Sequence, residues 1–101
     1  MAVSLSRQLA EKYVGKEIVY DGDKKGWLYQ VLSYDILIKT ESGSCYSYKT
    51  GTAAYDNAVA KGAIKFVDEA LNKAFIEDYE AYTHSDEGRI EAYAYYMRIY
   101  D

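Results

Sequence analysis

The chain has 101 residues and a net charge of −4; half of it is apolar, and it holds thirteen tyrosines but no proline and one each of cysteine, histidine and tryptophan. That length fits one domain spanning 1–101, since the usual size is roughly 100–150 residues. No apolar run approaches the ~20 residues that cross a bilayer, and a single Cys45 excludes an internal disulfide.

The opening Met1-Ala2-Val3-Ser4-Leu5-Ser6-Arg7 has no long apolar leader, so a cytoplasmic setting is expected. Leu5, Leu9 and Tyr13 recur at i, i+4, i+8 behind Ser4, which predicts a short helix stopped by Gly15. From Lys16 to Tyr48 the period drops to two. Ile18 and Tyr20 alternate with Glu17, Val19 and Asp21, and the turn-rich Asp21–Gly26 leads into the aromatic run Trp27–Tyr34. Ile36–Thr40 and Cys45–Lys49 flank the four-residue loop Glu41-Ser42-Gly43-Ser44, a hairpin signal. The reading is an antiparallel meander of three or four strands.

Helical spacing returns after Gly51. Thr52 caps a helix through Lys61 that Gly62 ends. Ile64, Val67, Leu71, Ala74, Phe75, Tyr79 and Tyr82 then follow at intervals of three and four. Residues 63–67 fit that helix or a last strand with Asp68 as the cap of a shorter one. Residues 89–100 fit helix or strand, with the spacing of Ile90, Tyr93, Ala94, Met97 and Tyr100 favouring helix. All seven glycines coincide with expected breaks. Ile18, Val31, Leu32, Ile36, Ile38, Val67, Leu71, Phe75 and Met97 are the expected core.

Charge is divided unevenly: residues 1–66 balance at +2 and residues 67–101 at −6. A concentrated basic patch, the usual mark of a nucleic-acid binder, is missing, while the acidic tail would attract a basic partner. In a helix over 68–83, Glu69, Lys73, Glu77 and Glu80 share one face. The pairs Glu69–Lys73 and Lys73–Glu77 would contribute about 0.3–0.5 kcal/mol each. The face reads either as solvated surface or, with Asp78, Asp86, Glu87 and Glu91, as a row of carboxylates standing where a groove on a basic protein expects phosphates.

The aromatics offer a second choice. Trp27, Tyr29 and Val31 share a face in a regular strand, as do Tyr46 and Tyr48. They read as cross-strand packing or as a stacking platform for single-stranded nucleic acid, with Lys24, Lys25, Lys39 and Lys49 as its cations. No single helix face buries Tyr93, Tyr95, Tyr96 and Tyr100 together, so some of them face solvent or an interface.

Chemistry-bearing constellations are scarce. His84 stands alone in a polar turn, and Cys45 reads as a small packing residue without a base beside it. Adjacent acids such as Glu77-Asp78 diverge by about 100° on a helix and make poor acid–base pairs. Asp21-Gly22-Asp23 opens like a calcium loop but continues into Lys24-Lys25, and no phosphate-binding GK[ST] ending occurs. No cofactor, metal or enzyme activity is therefore expected.

The order of short helix, Tyr13-Val14-Gly15-Lys16-Glu17-Ile18-Val19, the hairpin Trp27 to Lys39 and Ser42-Gly43-Ser44 resembles small SH3-like barrel proteins, including uncharacterised ones encoded by bacteriophages. The resemblance covers about residues 10–67. It implies binding of peptides or nucleic acid, and for small acidic phage proteins inhibition of a host or defence protein. The expected fold is α+β, a small antiparallel sheet with a short N-terminal helix and C-terminal helical segments. The expected function is a non-catalytic protein-binding module, of phage-inhibitor type, that presents Glu77, Asp78, Glu80, Asp86, Glu87, Tyr93 and Tyr95 to a basic protein, with homodimerisation open. The alternative is single-stranded nucleic-acid binding through Trp27, Tyr29, Lys24 and Lys25.

Overall fold

The period-two half of the chain forms a sheet, and the helical segments on either side pack against it. The computed structural model describes residues 4–100, the last two by their backbone only. Met1, Ala2 and Val3, which belong to the stretch read for a leader, and the Tyr100 side chain lie outside the described residues. Helix α1 (Leu5–Tyr13) begins at Ser4, whose hydroxyl accepts from the Arg7 N–H, and Gly15 follows its end at φ +89°. A residue without Cβ takes that φ with little strain, so the chain turns there. Four strands come next: β1 (Glu17–Tyr20), β2 (Lys24–Val31), β3 (Asp35–Thr40) and β4 (Cys45–Lys49). Helix α2 (Ala53–Ala60), capped by Thr52, strand β5 (Lys65–Phe66), and helices α3 (Glu69–Thr83) and α4 (Asp86–Tyr100) complete the order.

The fold is α+β, with a five-stranded antiparallel sheet in the order β4-β3-β2-β1-β5. Segment 63–67 contains the fifth strand, and the Asp68 carboxylate caps α3 by accepting from the Leu71 N–H. The tail is helical from Asp86, earlier than its apolar spacing suggested, because Ser85 Oγ accepts from the Gly88 N–H and opens the turn. The sheet curls strongly: the Tyr20 ring of β1 lies 5.0 Å from Tyr46 of β4, although two strands stand between β1 and β4. The Asp21 N–H also donates to the Tyr48 hydroxyl at 3.0 Å.

Tyr13, Ile18, Leu28, Ile36, Ile38, Phe66 and Tyr82 are all less than 2% exposed. Tyr13, Phe66 and Phe75 form an aromatic knot in which both other rings stand 5.0 Å from Phe75, the edge-to-face spacing that rings prefer. Ile18, Val31, Ile36, Ile38 and Phe75 thus occupy the core as expected, and Leu32 and Leu71 are half-buried. Val67 and Met97 are corrections, at 51% and 44% exposed. Val67 follows inward-facing Phe66 and bonds its N–H to the Glu17 carbonyl, so strand alternation turns its side chain out. Met97 sits on α4, which buries none of its described side chains. Cys45 is exposed rather than packed.

Strand β2 departs from simple alternation. Leu28 faces Ile38 but Gln30 faces Leu37, so Tyr29 is an extra residue in the ladder. This bulge puts Tyr29 and Gln30 both in solvent and returns Val31 to the core, which separates Val31 from the face of Trp27 and Tyr29. Two glycines also sit inside elements rather than at breaks. A Cβ on Gly26 would collide with the Lys39 carbonyl of β3, and one on Gly88 with the Tyr82 carbonyl of α3. Both positions are set by close backbone approach.

Candidate partner-binding face

Helix α3 divides into a core face and a wet face. Phe75, Tyr79 and Tyr82 enter the core, and the Tyr79 hydroxyl donates to the Leu32 carbonyl and accepts from the Thr50 hydroxyl, pinning the helix to the ends of two strands. Burial pushes the Tyr79 and Tyr82 hydroxyls well above the usual tyrosine range, so both remain protonated donors. On the wet face Glu69, Lys73, Glu77 and Glu80 are all exposed. Neither Lys73 pair reaches ion-pair distance, so the i, i+4 bridges expected from spacing are not formed.

The seven residues singled out by sequence have different fates. Glu77, Glu80 and Asp86 are exposed, and their carboxylates have no hydrogen bond or ion pair among the described residues, which leaves their charges available. Asp78 is half-buried and occupied: its Oδ2 accepts from the Tyr13 hydroxyl at 2.6 Å and from Lys12 Nζ at 2.9 Å. Those two donors, Tyr13 first, hold its carboxyl below the usual aspartate range. Glu87 is occupied as well, accepting from the backbone N–H groups of Leu5 and Ser6 at 3.1 and 2.9 Å. It caps α1 from the far end of the sequence, and the Ser6 N–H lowers its pKa. Tyr93 is 67% exposed. The Tyr95 ring stacks on Tyr34 at 3.7 Å between centroids, and its hydroxyl accepts from Lys49 Nζ. Glu91 is taken by the Tyr82 hydroxyl.

Around Tyr93, helix α4 exposes Ile90 (69%), Tyr96 and Met97. Ile90, Tyr93 and Met97 stand at i, i+3 and i+7, one apolar stripe with no cover among the described residues. The sequence puts Ile90 and Met97 on one helix spacing and only Met97 in the expected core. Their exposure was detectable only in that the tail offers more large apolar side chains than one face can bury.

The convex side of the sheet holds the residues of the alternative reading. Trp27 and Tyr29 are 41% and 50% exposed, and Lys39 Nζ stands 5.2 Å from the centre of the Tyr29 ring. Lys24 is bound to Asp21 at 3.1 Å, and a shallow depression beside Trp27 and Lys25 also holds Glu17 and Glu41. Positive charge there is largely offset by neighbouring acids.

A third feature escaped sequence reasoning. Helices α2 and α3 border an open groove of about 530 Å³, with Val59 and Asp56 on one wall, Ile76 and Glu80 on the other, and Ser33 at its base. Tyr55-Asp56-Val59-Ala60 and Ile76-Tyr79-Glu80-Thr83 each fall on one helix face, an ordinary spacing, and their juxtaposition needs the tertiary structure. Among the described residues no group of three His, Cys, Asp or Glu is placed to hold a metal. None of their helices is long and apolar enough to cross a membrane. Comparison of the chain with known protein families, curated proteins and solved structures gives no match.

Proposed function

We propose that the protein is a non-catalytic binding module that engages a basic protein through α3 and α4. The observation that carries this reading is the uncovered stripe Ile90, Tyr93 and Met97, on a tail that also bears the unpaired carboxylates of Glu77, Glu80 and Asp86. Exposed aromatic and aliphatic anchors supply contact energy, and unpaired acids supply attraction and orientation. Asp78, Glu87 and Glu91 support the fold in this account and drop out of the contact set, while Tyr95 positions α4 through Tyr34. The curled meander supports the resemblance to SH3-like barrels. A narrower form of the proposal is the phage-type inhibitor, in which the basic partner is a host or defence protein. A second copy of the chain is a competing occupant of the α4 stripe.

Capture from extract of the encoding organism tests the proposal with three baits: the parent, Glu77→Lys with Glu80→Lys, and Tyr93→Ala with Ile90→Ala. One basic protein retained by the parent and lost by both variants is the expected result, with retention weakening at high salt. Retention unchanged by either variant or by salt defeats the proposal. A single-stranded oligonucleotide bound through Trp27 and Tyr29, and unaffected by the acid reversals, would favour the alternative instead.

A further inference from the structure

The groove between α2 and α3 lies outside the α4 stripe, and its composition selects an occupant. Its walls are apolar where Val59, Ala60 and Ile76 line them and aromatic at Tyr55 and Tyr79. Two carboxylates, Asp56 and Glu80, also line it, and among the described residues no lysine or arginine does, His84 being the one basic group of the lining. At its base Ser33 is 8% exposed, and the Ser33 hydroxyl is buried without a hydrogen-bond partner. A buried hydroxyl without a partner is rare in folded proteins, so this one marks an unsatisfied acceptor and donor beside the groove. The volume of about 530 Å³ is within the range of natural ligand sites, roughly 300–1,000 Å³.

We propose that this groove is the subsite for an arginine side chain of the basic partner. The aliphatic stem lies along Val59 and Ile76, and the planar guanidinium is stabilised by the tyrosine walls and by the carboxylates of Asp56 and Glu80. Arginine suits this site better than lysine because its guanidinium is weakly hydrated, stacks on rings and offers five donors to separate acceptors. Phosphate and nucleic acid are disfavoured by the same two acids. The inference rests on the proposal that the protein binds a basic protein, and it assigns one contact within that interface.

The test is an NMR titration of ¹⁵N-labelled protein with blocked arginine (N-acetyl-arginine methylamide), blocked lysine, and blocked citrulline as the neutral isostere. Blocked arginine is expected to bind weakly, with a Kd on the order of 1 mM, and to shift amides in 55–60 and 76–84. Lysine should bind more weakly and citrulline should leave those amides unmoved. Asp56→Asn and Glu80→Gln, both at exposed positions, should each weaken blocked arginine by about two- to fivefold, and Glu77→Gln, outside the groove, should not. Equal shifts from citrulline, or shifts scattered over the surface, overturn the subsite. An arginine-rich nonapeptide serves as the second arm. If it binds with strong salt dependence while the groove amides stay still, the subsite is wrong and the basic-partner proposal survives. If the nonapeptide and blocked arginine both fail to bind, the two fall together.

Discussion

Helices α3 and α4 have the same length, fifteen residues, and follow one another directly, yet they use their aromatic residues in opposite ways. Helix α3 commits Phe75, Tyr79 and Tyr82 to the core, and its polar face is left to solvent. Helix α4 buries only Gly88 among its described residues and turns Ile90, Tyr93 and Met97 outward. It is attached by a few specific contacts: Glu87 on the start of α1, Glu91 on Tyr82, and Tyr95 on Tyr34. The difference separates a helix that makes the fold from one that the fold holds out. Apolar content alone does not distinguish them.

Several substitutions would break or sharpen that contrast. Phe75→Ala removes the centre of the aromatic knot and should cost about 3–5 kcal/mol, read as a lowered midpoint in a urea melt. A loss below 1 kcal/mol would mean that α3 does not carry the core. Gly88→Ala forces a methyl group onto the Tyr82 carbonyl and should cost about 1–3 kcal/mol. Because it acts where α4 meets α3, it should also free Tyr95 from Tyr34, which near-ultraviolet circular dichroism would register. An unchanged spectrum would place the origin of α4's attachment elsewhere.

The acids give a pH signature. Asp78 and Glu87 both have folded-state pKa values below their ordinary 3.8 and 4.5, so each contributes stability that is complete above those values and is lost as pH falls through the lower, folded ones. Asp78→Asn with Glu87→Gln should therefore lower stability at pH 7 and flatten its decline below about pH 4.5. An acid limb as steep as the parent's would show that other groups dominate. Asp35 works in the opposite direction: burial raises its carboxyl, so its contribution diminishes as pH rises. The smallest effect belongs to Tyr93→Ala, expected to stay within about 0.5 kcal/mol in stability while abolishing partner capture. A large loss of stability there would mean that Tyr93 packs on the fold, and the contrast between the two helices would disappear.

Much of the fold can be read from the residues because its signals are local. The Ser4, Thr52 and Asp68 caps, the alternation in Glu17–Tyr20 and the Ser-Gly-Ser hairpin each act within a few positions, and each appears where the sequence puts it. What failed depends on contacts between distant positions. The bulge at Tyr29 is invisible in a sequence that alternates regularly, because only the ladder with β3 shows the extra residue. Gly26 and Gly88 look like breaks until a neighbouring carbonyl is seen against them. The acidic tail reads as one charged surface, yet Asp78 is matched to Lys12 and Tyr13 more than sixty residues away, while the Glu77 carboxylate beside it has no partner among the described residues. The candidate face was therefore visible as a region and not as a set of residues. The α2–α3 groove was not visible at all, since its two walls are separate helices with unremarkable spacing.

The bond from Glu87 to the backbone of Leu5 spans 82 positions. A ribosome adding roughly 5–20 residues per second needs about 4–16 s to travel that distance. Helix α1 is thus completed by a residue made 82 positions after Leu5, and until then its opening turn has only Ser4 to close it. Nascent chains halted before residue 87 should leave that turn fraying and accessible to protease, and chains released after it should protect it.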